Sequence, residues 1–87
     1  MVVIGTPVWA FTMASPVRAF LKKYSTQIKC AAFFCTQGSK GAERTFEQMA
    51  EMLQLAPAAR LVLNTKEVMA GKISEKVIRF IEQIKNI

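Results

Sequence analysis

Val2-Val3-Ile4-Gly5-Thr6-Pro7-Val8-Trp9-Ala10 begins with three consecutive β-branched residues and then breaks on glycine and proline. A continuous β-branched run suits a parallel strand buried on both faces. Gly5-Thr6-Pro7 ends it with residues that turn a chain, so Thr6 to Ala10 reads as a strand-terminal loop. A helix follows: Ser15 is placed to cap it, and Pro16 sits just inside, where its missing N–H costs nothing. Met13, Val17, Phe20, Leu21 and Tyr24 recur at helical spacing on one face, and Lys22 and Lys23 suit the negative end of the helix dipole.

The same alternation repeats downstream. Cys30-Ala31-Ala32-Phe33-Phe34-Cys35 is uniformly apolar and reads as the central strand. Thr36-Gln37-Gly38-Ser39-Lys40-Gly41 is a loop with two glycines, and a helix runs from Ala42 to Leu53 with Phe46, Met49, Ala50 and Leu53 inward. Glu43, Glu47 and Glu51 form its outer stripe. Ala56-Pro57-Ala58-Ala59 breaks that helix, Leu61-Val62-Leu63 makes a third strand, and a last helix opens near Ser74 with Val77, Ile78, Ile81 and Ile84 inward. The expected fold is α/β, β-α-β-α-β-α, one domain over residues 1–87 with a three-stranded sheet. Right-handed crossovers make every neighbouring pair parallel and bring all strand-to-helix loops to the carboxyl end of the sheet. Open α/β sheets bind ligands at that end.

Composition narrows the chemistry. The 87 residues include no His and no Asp, and all six acids are Glu. This rules out a Ser-His-Asp triad and any His-based metal site. Cys30 and Cys35 lie five apart on one strand, about 16 Å between Cα atoms, too far to bridge; they read as reduced thiols in a reducing compartment. The net charge of +6 is spread rather than gathered. Arg18, Lys22, Lys23 and Lys29 form one loose group, and Lys66, Lys72, Lys76, Arg79 and Lys85 occupy the other end, which argues against a nucleic-acid surface. No apolar run approaches the roughly 20 residues that cross a bilayer, and the first residues lack a signal peptide's basic and apolar regions. A cytoplasmic, non-membrane protein is expected. The 52% apolar content hints at surface that wants cover.

At the carboxyl end, the loops Thr6 to Ala10 and Thr36 to Gly41 meet Asn64-Thr65. Trp9 is the one tryptophan. Its flat indole suits stacking on an aromatic ring, the alternative being local packing over the first helix. Gly38 and Gly41 can free backbone N–H groups, and Thr36 and Ser39 add hydroxyls, although glycines there also serve as turn residues. The loop matches neither a Walker sequence nor GxGxxG.

Val2 to Ala10, then Thr12-Met13-Ala14-Ser15-Pro16-Val17-Arg18-Ala19-Phe20-Leu21, resembles the middle of flavodoxin-family proteins, where a strand ends in Gly-Thr-Pro-x-Trp and a helix opens small-Pro-x-Arg-x-Phe. Ala32-Phe33-Phe34-Cys35-Thr36-Gln37-Gly38-Ser39 is similar to the family's next strand and second flavin loop. The resemblance covers the whole chain and implies the C-terminal half of a three-layer, flavodoxin-like domain. It further implies non-covalent FMN and electron transfer, with a redox partner protein. Thr6, Pro7, Val8, Trp9 and Ala10 would flank one side of the isoalloxazine, with Trp9 stacking; Cys35, Thr36, Gln37, Gly38 and Ser39 would line the other. If the chain is an enzyme, the resemblance makes it a flavin-dependent oxidoreductase, with the redox chemistry belonging to the cofactor.

The departure from the family is as informative. Met1 stands where the family's third strand begins, so the first strand, the phosphate-holding loop at a helix N-terminus, and the second strand have no counterpart. On this reading the domain is truncated, and Val2-Val3-Ile4 becomes an exposed apolar edge. Two copies pairing these strands across a twofold axis would cover it, giving a homo-oligomer. The alternative function is a cofactor-free assembly module that keeps half of the fold.

Overall fold

The computed structural model describes residues 1–38 and 40–86. Its elements are β1 (Val2–Trp9), β2 (Thr12–Met13), α1 (Ser15–Tyr24), β3 (Ala31–Gln37), α2 (Ala42–Leu53), β4 (Arg60–Asn64), α3 (Thr65–Met69) and α4 (Ser74–Lys85). The sheet order is β2-β1-β3-β4. β1, β3 and β4 are parallel with β3 in the middle, as its uniformly apolar sequence suggests. The sheet is nevertheless mixed and four-stranded, because β2 pairs antiparallel with β1 through Val8↔Met13 and Trp9↔Thr12. This corrects the expectation of a three-stranded, wholly parallel sheet.

The correction has a local cause. Val8 and Trp9 are good strand formers, so β1 runs on through Pro7 instead of stopping at Gly5. It then reverses at Ala10 and Phe11, whose φ values of 50° and 66° supply the twist of a primed two-residue hairpin. Met13, expected on the first helix, lies instead in β2 and is buried.

Pro7 sets where β2 ends. The Val2 N–H bonds the Cys30 carbonyl at 3.0 Å. Successive residues of a strand aim their backbone groups to opposite sides, so Val3, Gly5 and Pro7 aim theirs away from β3. Pro7 has no N–H to continue a ladder with Ala14. The Thr6 hydroxyl fills the gap, accepting the Ala14 N–H at 3.0 Å and donating to the Pro7 carbonyl at 2.9 Å. The Ala14 carbonyl is thereby released to accept from Val17 and Arg18 in the first turn of α1.

The helices lie on both faces, making three layers. Leu21 of α1 and Ala42, Phe46, Met49 and Leu53 of α2 pack with Ile4, Phe33 and Cys35. On the other face, Phe80 of α4, backed by Val77 and Ile84, packs on Ala32, Ala59 and Leu61. Two expected inward positions of α4, Ile78 and Ile81, are exposed instead, as is Phe20 of α1. Gly5 belongs to the second face: a Cβ there would overlap the Phe34 ring, which takes the space.

One element had no counterpart in the sequence reading. α3 follows directly on β4, and the Glu67 carboxylate accepts the Asn64 N–H at 3.3 Å. Asn-x-x-Glu is a start signal for a helix. Lys76 of α4 binds Glu67 at 2.7 Å and donates to the Val62 carbonyl at 3.3 Å, docking the short helix onto the end of β4.

Candidate functional site

The carboxyl end of the parallel strands collects the residues singled out in the sequence. In register, Thr6 is opposite Cys35, Pro7 opposite Thr36, and Gln37 opposite Asn64. Thr6 and Cys35 are buried and form a floor, with Pro7 and Thr36 exposed one step further out. Val8 is half-buried against the core, while Trp9 and Ala10 are exposed at the hairpin tip. Gln37 is half-buried and Gly38 exposed. Ser39 lies outside the described residues.

Trp9 is 54% exposed, so its indole is not sealed into packing over α1. Phe11, which the sequence reading passed over, is 51% exposed at the same tip. Neither turn residue is the Asn or Gly that marks such hairpins, so the usual signal was missing. Holding Ala and Phe at positive φ costs about 1 kcal/mol per residue.

The tip leans on the β3–α2 loop. Gly41 has φ 112°, and a Cβ there would stand 2.7 Å from Val8 Cγ1 and 3.2 Å from Phe11 Cα. Glycine thus serves both the left-handed backbone and the close approach of the hairpin. Lys40 Nζ lies 5.4 Å from the Phe11 ring centroid, a cation–π contact across the two loops. Thr12, at the base of the hairpin, donates to Gln48 Oε1 and accepts from Arg18 Nη2 at 2.9 Å, tying the turn to α2 and α1.

Gln37 fixes the other side. Its Nε2 donates to Asn64 Oδ1 at 2.8 Å, and its Oε1 accepts the Ala42 N–H at 2.9 Å. Its carbonyl accepts from Thr65 Oγ1 at 3.2 Å. The glutamine therefore orients the loop and links it to β4, and Thr36 and Gly38 on either side of it are exposed. Among the described residues, and leaving aside its chain neighbours, nothing stands within 4 Å of where a Gly38 side chain would begin.

The chemistry available is binding rather than acid–base work. Burial, assisted by the nearby negative charge of Glu43, pushes the Cys35 thiol up to about 11. It stays protonated at neutral pH and is not an activated nucleophile. Cys30 and Cys35 are both free thiols. Among the described residues, no cluster of three His, Cys, Asp or Glu can hold a metal ion, and no helix is long and apolar enough to cross a membrane.

No protein-family model matches the chain, and no curated protein matches it either.

Proposed function

We propose that this chain is a flavodoxin-like, FMN-associated electron-transfer protein or the ring-facing half of one, with the flavin held between the β1–β2 hairpin tip and the β3–α2 loop. The carrying observation is the hairpin tip itself. An exposed tryptophan and phenylalanine stand on a backbone held at positive φ and braced against a glycine-containing loop. Local strain that the surroundings sustain recurs at active sites and ligand clamps, and this tip lies at the sheet end where α/β folds take ligands.

The bound flavin would supply the electron-accepting ring system. Trp9 would stack on one face of that ring, with Pro7 and Ala10 along its border. Thr36 Oγ1 and the backbone around Gly38 would hydrogen-bond its polar edge, with Thr6 and Cys35 forming the dry floor beneath. The neutral Cys35 thiol adds no charge there. Any redox partner would approach the exposed tip.

Titration with FMN, riboflavin and lumiflavin, followed by flavin fluorescence, tests this. Because the contacts are to the ring, all three should be quenched with affinities within about tenfold of one another. Trp9→Ala should weaken each by roughly fivefold, the loss of about 1 kcal/mol of stacking. No quenching of any flavin by the folded chain would refute the flavin reading and favour the second one, a cofactor-free assembly module. That second reading is favoured by the open side of β1.

A further inference from the structure

We infer that the carboxyl end of the sheet, which carries the exposed Trp9 and Phe11, is the docking surface for an acidic partner protein. The ground is where the six glutamates go. Three are neutralised by a neighbouring cation: Glu43 by Arg60 at 3.0 Å, Glu67 by Lys76 at 2.7 Å and Glu75 by Arg79 at 3.1 Å. Glu47, Glu51 and Glu82 make no ion pair among the described residues. They lie beyond the first turns of α2 and α4, helices that run back from the carboxyl end of the sheet toward its amino end. Glu47 there shares a groove with Pro57, Ala58 and Gln83.

The remaining cations divide unevenly. Lys22, Lys23, Lys29 and Lys85 stand toward the amino end, against those three unpaired acids. Arg18, Lys40, Arg44, Lys66 and Lys72 are all exposed toward the carboxyl end, in the first turns of α1, α2 and α3 or in the loops between elements. Among the described residues no unpaired acid accompanies them. Nearly all of the net charge of +6 is therefore gathered at one end of the molecule. Along the sequence the cations are spread, and only the pairing of the acids separates the two ends.

Two of these cations are tied to the hairpin. Lys40 Nζ lies 5.4 Å from the Phe11 ring centroid, and Arg18 Nη2 donates to Thr12 at 2.9 Å. Interface centres are enriched in aromatic residues and arginine and depleted in acids. A field of one sign around them selects a partner of the other sign and speeds encounter. An electron carrier works through brief contacts of small area, which suits such steering. The five cations stand on separate elements, matching carboxylates scattered over a protein face; a nucleic-acid strand wants a continuous groove. That the partner is a redox protein rests on the flavin reading, whereas its acidity rests on the charges alone.

Poly-L-glutamate, added to the folded chain without flavin, is the probe, and Trp9 as the one tryptophan reports the place. It should shield Trp9 from acrylamide quenching and bind roughly tenfold or more weakly when salt rises from about 20 to about 200 mM. Arg44→Glu with Lys66→Glu should weaken binding by roughly tenfold or more. Both positions open helices, where a glutamate is tolerated and the fold is kept. Lys22→Glu with Lys29→Glu, the same net charge placed at the other end, should weaken it by less than about twofold. No binding at low salt, an unshielded Trp9, or equal losses from the two double variants would overturn the proposal. So would tighter binding of an oligothymidylate or of phosphatidylserine vesicles, which would assign the surface to nucleic acid or to a membrane. Polyglutamate binding of the expected kind by a chain that quenches no flavin would refute the flavin reading alone and leave the acidic docking surface standing.

Discussion

α2 and α4 are both twelve-residue amphipathic helices, yet they are buried very differently. α2 buries Ala42, Thr45, Phe46, Met49 and Leu53, whereas α4 buries only Phe80 and leaves Ile78 55% exposed. The difference is one of neighbours. α2 lies beside α1 on a shared face, so its apolar side chains are enclosed from the sheet below and from the adjoining helix. α4 is the one helix packed on the second face among the described residues, and its flank has no wall. An apolar stripe marks which side of a helix can be buried; only the number of surrounding elements decides how much of it is.

Substitutions on the two helices measure this contrast. Phe46 packs on Phe33 with ring centroids 6.2 Å apart and should be the most costly to truncate. Phe46→Ala is expected to lower unfolding free energy by about 3–5 kcal/mol in urea melts. Phe80→Ala, in the thinner second core, should cost about 2–3 kcal/mol; equal losses at both positions would show that one helix seals a face as well as two. At the hairpin, Ala10→Gly should raise stability by up to about 1 kcal/mol by relieving the positive φ, while loosening the tip that bears Trp9. A thermal melt reads the first effect and Trp9 fluorescence anisotropy the second. Ile78→Ser should change stability by less than about 0.5 kcal/mol, as befits an exposed site; a larger loss would mean that α4 is covered in solution.

The smallest effect concerns pH. The hydrogen bond from Lys76, with the Asn64 N–H assisting, holds the Glu67 carboxyl below its usual range against the opposing effect of desolvation. A lowered folded-state value contributes stability above the ordinary glutamate range, lost as pH falls through the lowered value. Glu67→Gln should therefore melt slightly earlier than wild type at neutral pH, and the two should converge in acid. A difference that grows on acidification would remove the Lys76 contact as its source.

Much of this fold was legible beforehand, for specific reasons. Ala42 to Leu53 could be delimited because Gly41 precedes it and Pro57 follows its end. The middle position of β3 followed from its apolar run. The β1–β2 hairpin was hidden because Ala10-Phe11 lacks turn chemistry, and the strand-breaking look of Gly5-Thr6-Pro7 masked a strand that continues. α3 carried a readable Asn64-x-x-Glu67 start, but its five residues are too few for periodicity to register. At the candidate site, Trp9 was visible as a large aromatic in a strand-terminal loop and Thr36 as a hydroxyl in a glycine-containing one. Phe11 and the bracing role of Gly41 were not, because both depend on a hairpin that had yet to be placed.

By itself, then, the order of residues determined the βα alternation, the inward face of α2 and the absence of histidine and aspartate chemistry. Those properties are local or compositional, set within a few residues by periodicity, side-chain shape and pKa. The tertiary structure alone decided that β1 reverses into β2, that Ile78 and Ile81 stay in water, and that Val3 and Gly5 point their backbone groups outward. Each of these depends on what stands beside a residue in space. Burial and hydrogen bonding are properties of neighbours, and distant parts of the chain supply them.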